Sequence, residues 1–173
     1  MTLNNMHRSK LLFAILCLSV FAAHELRSEE VELMGWGWAG NVVKSTEEVK
    51  EGTFSLRWDA GKEQNNRFAA RAVETDWTRF QQLHFWAFSQ KATGSVVSVC
   101  VYTTGAESGS HYVYVIPVDW TDWKEFNIDL KAFSKNRKPG GWNDIELVEF
   151  LPNFCGPSAP GTVLFINDLK LVE

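Results

Sequence analysis

Cysteine, histidine, basic residues and long apolar runs are all scarce in this sequence, and each scarcity excludes a class of protein. The 173 residues include 3 Cys and 4 His, too few and too scattered for a zinc site. Lys and Arg total 17 against 21 Asp and Glu, so the formal net charge is −4 and no basic face for nucleic acid is expected. The one long apolar run, residues 11–20, falls well short of the roughly 20 residues that span a bilayer. We therefore predict no transition metal, no nucleic-acid partner and no membrane span.

Aromatic residues are what the sequence has in surplus. It contains 8 Trp, 12 Phe and 3 Tyr, while its 45% apolar and 22% charged residues are ordinary for a globular protein. So many aromatics without many cysteines indicate a well-filled β core, a stacking surface, or both.

The first 23 residues predict a secretory signal peptide. His7, Arg8 and Lys10 form a positive n-region, and the apolar run that follows them ends in small residues. We therefore predict cleavage near residue 23, a secreted or periplasmic location, and a single domain over 24–173. Residues 1–23 hold two of the basic residues and none of the acidic ones, so their removal takes the net charge from −4 to −6.

Export also bears on the cysteines, because an oxidising compartment allows disulfides. Cys100 and Cys155 are the two that remain after removal of the signal peptide. One lies in a strand pattern and the other in a Pro/Gly loop, so their pairing stays open.

Alternating patterns rich in Val, Tyr, Phe, Trp and Thr predict strands over most of the remaining chain. No stretch of 12 residues shows the 3.6-residue period of a helix. Ten short strands separated by turn signals predict an all-β fold, an antiparallel two-sheet β-sandwich of the jelly-roll type. The predicted strands are 31–33, 41–46, 54–59, 68–73, 82–89, 96–103, 111–119, 124–130, 147–151 and 162–172.

The same alternation assigns side chains to the two faces of each strand. In strand 111–119, Val113 and Val115 are predicted to point into the core. Large aromatics that face away from the core are the anomaly of the sequence, since such surfaces often bind a ligand. The side chains predicted to face outward are His84, Trp86, Phe88, Ser98, Cys100, Tyr102, Tyr112, Tyr114, Ile116, Asn127 and Asp129.

Four segments occur in an order that is typical of a known superfamily. They are a Gly turn before an aromatic-Ser-Leu strand at 45–56, an entry to the middle strands at 76–86, a Trp-led strand at 120–128 and a closing strand at 164–171. In this order the chain resembles the galactose-binding-like β-sandwich superfamily, in particular the jelly-roll carbohydrate-binding modules of secreted polysaccharide-degrading enzymes. The resemblance implies binding of a polysaccharide or oligosaccharide, with a secreted carbohydrate-active enzyme as a partner. The same pattern occurs in relatives that bind no sugar, including a mitochondrial complex-assembly family, so fold follows more directly than function.

The resemblance also implies a structural calcium at the edge where the first, second and last strands meet. Matching positions are Glu32, the Lys50 carbonyl, Glu51 and Asn167, with Asp168 adjacent. Carboxylate, amide and carbonyl oxygens suit calcium, which takes six to eight oxygen ligands. The family more often has Asp at the position of Asn167, so this chain has one negative charge fewer there. The alternative interpretation is a set of ordinary strand-end polar residues.

The predicted carbohydrate site combines aromatic platforms with polar partners, because sugar rings stack on aromatic planes while their hydroxyls need donors and acceptors. The predicted platforms are Tyr102, Tyr112, Tyr114 and Trp86, and the predicted polar partners are Arg57, His84, Asn127 and Asp129. Trp36 and Trp38, in a Gly-rich loop, form a second candidate at the edge of the sandwich. A groove would indicate sugar binding, whereas a broad dry patch would indicate a structural or adhesion domain that docks a protein or envelope component.

Motifs for catalysis are not found. The sequence has no G-x-S-x-G elbow, H-E-x-x-H helix or Gly-rich phosphate loop. Asp129 and Glu149 are a candidate carboxylate pair for a glycosidase, and 82–84 is similar to the Gln-x-His strand of alginate-lyase families without their other motifs. Ser110 and His111 are adjacent, with no orienting acid nearby. We therefore predict a domain that is not an enzyme, with a polysaccharide lyase or hydrolase as the less favoured alternative.

Overall fold

Two antiparallel sheets packed face to face make up the fold. The computed structural model describes residues 29–61, 66–72, 74–105 and 107–173. The strands within these ranges are β1 (Glu30–Glu32), β2 (Ala39–Gly40), β3 (Val42–Ser45), β4 (Ser55–Asp59), β5 (Phe68–Arg71), β6 (Gln82–Ser89), β7 (Val96–Thr103), β8 (His111–Pro117), β9 (Asp122–Asp129), β10 (Ser134–Asn136), β11 (Ile145–Pro152) and β12 (Val163–Val172). A single-turn 3₁₀ helix, Leu130–Ala132, follows β9.

The strands divide into two six-stranded sheets. Sheet I has the order β3-β4-β12-β6-β9, with β1 paired to the C-terminal end of β12. Sheet II has the order β10-β8-β7-β11-β5-β2. All of these pairings are antiparallel, so the prediction of an all-β two-sheet sandwich is confirmed.

The ten predicted strands are present, with ends shifted by a few residues, but β2 and β10 were not predicted. β2 has two residues and β10 has three, Ser-Lys-Asn, so neither carries an alternating pattern. Both form edges of sheet II, where a partner strand on one side is enough to hold them. The predicted signal peptide, the boundary at 23/24 and Val73 lie outside the described residues. Where the structure describes the chain, no helix is long and apolar enough to cross a membrane.

Aromatic rings fill the space between the sheets. Phe150 of β11 stacks on Phe68 of β5 with ring centroids 4.7 Å apart. It meets Trp38, Trp58 and Phe85 edge-on at 5.9, 6.3 and 5.9 Å, and the last two belong to sheet I. Because each buried aromatic removes a large apolar area from water, this cluster joins the two sheets into one core.

The alternation on β8 has the opposite sense to the prediction. The cross-strand register places Tyr112 and Tyr114 opposite core-facing valines of β7. Tyr112 is 5% exposed and stacks on Trp142 at 4.1 Å, whereas Val115 is 41% exposed. The predicted outward orientation of Tyr112, Tyr114 and Ile116 is therefore wrong. The predicted inward orientation of Val113 and Val115 is wrong for the same reason. Both faces of this strand carry large apolar side chains, so alternation defines two sets without identifying the inner one.

Candidate functional site

The structure places the predicted site residues on opposite sides of the sandwich. Tyr102 of β7 lies on the outer face of sheet II. Trp86 and His84 of β6 and Arg57 of β4 lie on the outer face of sheet I, with Asn127 and Asp129 of β9. The single binding face that the sequence predicts is therefore not formed by these residues together.

Trp36 and Trp38, the predicted second platform, pack against the core. Trp36 is 8% exposed, and its ring stacks on Trp38 with centroids 6.4 Å apart. The Trp38 ring contacts Phe68 at 5.4 Å, and its indole N–H donates to the Leu33 carbonyl oxygen at 2.9 Å. Since these contacts hold both rings inward, they fill the core beside β5 instead of forming an exposed pair.

A groove of about 480 Å³ lies on the outer face of sheet II, over β2, β5, β11 and β7. Small side chains on β2 and β5 leave it open beside the larger side chains of β7 and β11. Gly40, with φ of 112°, allows this geometry because a Cβ there would collide with the Arg67 carbonyl oxygen. The lining residues are Ala39, Gly40, Arg67, Phe68, Ala69, Tyr102, Leu147 and Glu149.

A buried carboxylate forms part of the groove wall. Glu149 points to the outer face of β11 and yet is 4% exposed. The Tyr102 hydroxyl donates to its Oε2 at 3.0 Å, and the Arg67 Nε lies 3.3 Å from its Oε1. A desolvated carboxylate is costly unless donors surround it, so these two contacts hold Glu149 in one position. The three side chains form a fixed polar array, which we call the Glu149 array.

Two neighbouring groups stay protonated beside this carboxylate. Burial raises the pKa of the Tyr102 phenol above its usual range, and the Glu149 charge raises it further, so the hydroxyl remains a donor. Burial, followed by Glu149 and Cys155, raises the pKa of the Cys100 thiol to about 12. Because the thiolate is the reactive form, Cys100 is a poor nucleophile. Both Cys100 and Cys155 are free in this structure.

Rings continue from Tyr102 across the same face of sheet II. The Tyr102 and His111 ring centroids are 4.7 Å apart, and His111 meets Phe154 edge-on at 5.5 Å. Phe154 is 44% exposed. Neither His111 nor Phe154 was predicted as a site residue. His111 is next to a polar hairpin, and Phe154 follows β11 in a loop, where strand alternation carries no information.

On the outer face of sheet I, the predicted site residues contact other side chains of the protein. The His84 Nδ1 lies 2.7 Å from the Asn127 Oδ1, and its Nε2 lies 3.0 Å from the Asp168 Oδ2. The Lys50 ammonium sits 4.5 Å from the centre of the Trp86 ring. These contacts occupy the polar groups and one face of Trp86, so this surface offers a sugar less than the groove does.

The candidate catalytic groups are not brought together. Asp129, at the end of β9 in sheet I, accepts the Lys131 backbone N–H at 2.8 Å, while Glu149 belongs to sheet II. A glycosidase needs two carboxylates on either side of one bond, roughly 5–9 Å apart. Ser110 donates its hydroxyl proton to the Glu107 carbonyl, and the His111 Nδ1 lies 2.9 Å from the Gly109 carbonyl oxygen. These contacts therefore stabilise the turn between β7 and β8.

Of the four predicted calcium ligands, Lys50 and Glu51 are hydrogen-bonded to the amide of Asn167, and Glu32 lines the cavity beside them. The Asn167 Oδ1 accepts the backbone N–H groups of Lys50 and Glu51 at 3.1 and 2.6 Å. Its Nδ2 donates to the carbonyl oxygens of Glu51 and Phe54 at 3.1 and 2.8 Å. N–H groups directed at this point repel a cation, and in the described part of the chain no three His, Cys, Asp or Glu side chains are placed to hold a metal. This arrangement does not fit calcium.

Comparison with known proteins finds similarity in fold and not in sequence. No family model and no curated protein matches the chain. A family 30 carbohydrate-binding module matches over 86% of this chain and 88% of that one, with 15% identity and a TM-score of 0.60. A family 11 module from Clostridium thermocellum, in complex with a β-1,3-1,4-mixed-linked tetrasaccharide, covers 85% and 89% at 14% identity and a TM-score of 0.57. A family 16 module covers 82% and 93% at 16% identity and a TM-score of 0.55.

At this level of identity the likeness concerns the fold. The chain is a jelly-roll β-sandwich of the kind found in carbohydrate-binding modules, as its resemblance in sequence implies. Function is argued from the site, because one fold supports many functions.

Proposed function

We propose that this protein is an exported, non-catalytic domain that binds a polysaccharide chain in the groove of sheet II. The observation that carries the proposal is the Glu149 array, a buried carboxylate held by two donors in the wall of an open groove. Its working partner would be a secreted carbohydrate-active enzyme that acts on the same polysaccharide.

The Glu149 array suits vicinal hydroxyls, since each sugar hydroxyl both donates and accepts. Glu149 orients the two groups that reach the groove: the Arg67 guanidinium, with its side chain 56% exposed, has donors left over after its contact with Glu149, and the Tyr102 phenol oxygen keeps acceptor capacity while its proton is donated to Glu149. Because Tyr102 and Arg67 already hold the carboxylate in place, little side-chain freedom is lost on binding. The rings of Tyr102 and Phe154 supply apolar surface for the C–H face of a sugar.

The fold neighbours suggest which polysaccharide to test first. The family 11 module was solved with a β-1,3-1,4-mixed-linked tetrasaccharide. We therefore propose a mixed-linked β-glucan as the first ligand, ahead of other plant and algal polysaccharides.

The alternative of a protein-docking domain needs a broad apolar patch. In the described ranges, the exposed large apolar side chains are Val43 on β3, Val115 on β8 and Phe154 after β11. Val43 belongs to sheet I and Val115 to sheet II, so the three side chains do not form one patch. Single exposed apolar residues are normal on soluble domains and indicate no docking surface.

Tyr102→Ala tests the proposed face directly. We expect binding to weaken several-fold, because a partly exposed aromatic that stacks on a sugar contributes on the order of 1 kcal/mol. Affinity gel electrophoresis, with the glycan cast in the gel, measures the loss as reduced retardation. Trp86→Ala removes a ring from sheet I and should leave retardation unchanged. If only the Trp86 variant loses retardation, the site lies on sheet I and the proposal is wrong.

Export predicts a shortened N-terminus. We expect the secreted protein to begin between about residues 23 and 29, because the apolar run ends before His24 and a polar stretch follows it. Intact-mass analysis of protein recovered from the exported fraction measures the start. Recovery of exported protein that retains Met1 would rule out cleavage.

A further inference from the structure

We infer that the Asn167 side-chain amide holds together in this chain the strands that a calcium ion holds in proteins it resembles. The amide joins β12 to the segment 50–54 ahead of β4, and we call this set of contacts the Asn167 clasp. The fold is then independent of calcium, and the single exchange Asn167→Asp would make it calcium-dependent.

The clasp consists of four hydrogen bonds from one buried side chain. Asn167 is 1% exposed, and each polar atom of its amide makes two bonds to the backbone of residues 50–54. Lys50 and Glu51, which supply the N–H groups, have exposed side chains. The four bonds therefore join residues more than 110 positions apart in sequence.

The two ends of the amide are not interchangeable here. Its oxygen faces two N–H donors and its nitrogen faces two carbonyl acceptors, so a flipped amide would set donors against donors and acceptors against acceptors. An aspartate keeps the first pair of bonds and loses the second. Its other oxygen would face the carbonyl oxygens of Glu51 and Phe54, and like partial charges repel.

That repulsion is what a cation would relieve. With Asp at 167, one carboxylate oxygen and two carbonyl oxygens converge on a single point. A cavity of about 460 Å³ adjoins them, lined in part by the acids Glu32, Glu51 and Asp168. Calcium takes six to eight oxygens from such groups and from water.

In the wild-type chain those acids are partly occupied by the protein's own donors. Glu32 Oε1 accepts the Met34 N–H at 2.7 Å. Asp168, which follows Asn167 at a bulge in β12, places its Oδ2 3.0 Å from His84 Nε2 and 3.1 Å from the Lys170 ammonium. Although burial lowers the pKa of Lys170, its bonds to Asp168 and Glu30 raise it overall, so this cation stays charged beside the cavity. These contacts satisfy the acids in the wild-type chain, and the Asn167 N–H groups, which Asn167→Asp removes, occupy the two carbonyl oxygens that a cation would need.

Thermal unfolding of the full chain in chelator and in millimolar calcium tests the inference. We expect the wild-type Tm to be the same in both. The Tm of Asn167→Asp should fall by about 5–10 °C in chelator, since in a domain of this size each lost kcal/mol lowers Tm by about 2–4 °C. Calcium should restore most of that loss, because an ion that binds only the folded state stabilises it by mass action.

Two further variants distinguish the loss of the Asn167 hydrogen bonds from the effect of adding a negative charge. Asn167→Ala loses the bonds without gaining a carboxylate, so its Tm should fall and calcium should not restore it. Asn143→Asp makes the same charge change at an exposed loop position and should behave as wild type. A wild-type Tm that rises with calcium, or an Asn167→Asp Tm in chelator equal to that of wild type, would overturn the inference.

Amide hydrogen exchange gives an answer even if the Asn167 variants fail to fold. In wild-type protein with chelator, the Lys50 and Glu51 amide protons should exchange slowly, because both are bonded to a buried side chain. Fast exchange at both positions in an otherwise protected domain would show that the clasp does not form.

Discussion

Glu149→Gln is expected to weaken polysaccharide binding at least about tenfold while the sandwich stays folded. Glutamine has the shape of glutamate, but one carboxylate oxygen becomes an NH₂ group that must face either the Tyr102 hydroxyl or the Arg67 guanidinium. A hydrogen bond to a charged group contributes about 1.5–3 kcal/mol, and 1.4 kcal/mol is tenfold in affinity. Calorimetric titration with the glycan that retards the wild-type protein measures the change.

Glu146→Gln is the matched control for this experiment. Glu146 lies on the same strand, β11, and is exposed, so the same chemical change there should leave affinity unaltered. Equal affinities for wild type and Glu149→Gln, with an unchanged Tm, would mean that Glu149 only supports the fold. The binding site would then have to be sought outside the groove.

Tyr112→Ala is expected to destabilise the fold by about 3 kcal/mol and to lower Tm by roughly 6–12 °C. The phenol ring is 5% exposed and stacks on Trp142 at 4.1 Å, so its removal leaves a cavity between the sheets. Burial also raises the pKa of Tyr112, as expected for a phenol kept from water. Urea unfolding followed by circular dichroism measures the free energy of unfolding.

Val115→Ala tests the same strand on its other face. Val115 is 41% exposed, so its truncation should change the free energy of unfolding by no more than about 0.5 kcal/mol. If Val115→Ala costs more than Tyr112→Ala, the side-chain assignment on β8 is reversed. The sequence-based orientation would then be the right one.

The strands were predictable from the sequence because alternation is a local property. Side chains of a strand point to opposite faces with period 2, so runs such as 82–89 and 96–103 can be recognised as strands from the sequence. On β7 the two faces differ in polarity, and Tyr102 was correctly placed outside. On β8 both faces are apolar, and only packing against Trp142 determines that Tyr112 lies inside.

The binding site was less predictable because it depends on which strands are neighbours. Tyr102 and Trp86 both face outward, as predicted, but β7 and β6 belong to different sheets, so the two rings lie on opposite sides. Glu149 was recognised only as a possible catalytic acid. Its contacts join β11 to Tyr102 of β7 and to Arg67 just before β5, and these three segments are remote from each other in sequence.

At the predicted calcium position, the sequence indicates which residues lie near each other but not how their polar atoms are oriented. The family resemblance of the sequence implies that Glu32, Lys50, Glu51 and Asn167 lie at one edge of the fold, where the first strands meet the last one. Whether their oxygen atoms converge on an ion or on an N–H donor is a matter of a few ångströms. The answer depends on tertiary contacts, because the hydrogen bonds between 50–54 and β12 form when the sheet closes, and they direct the Asn167 nitrogen at two carbonyl groups.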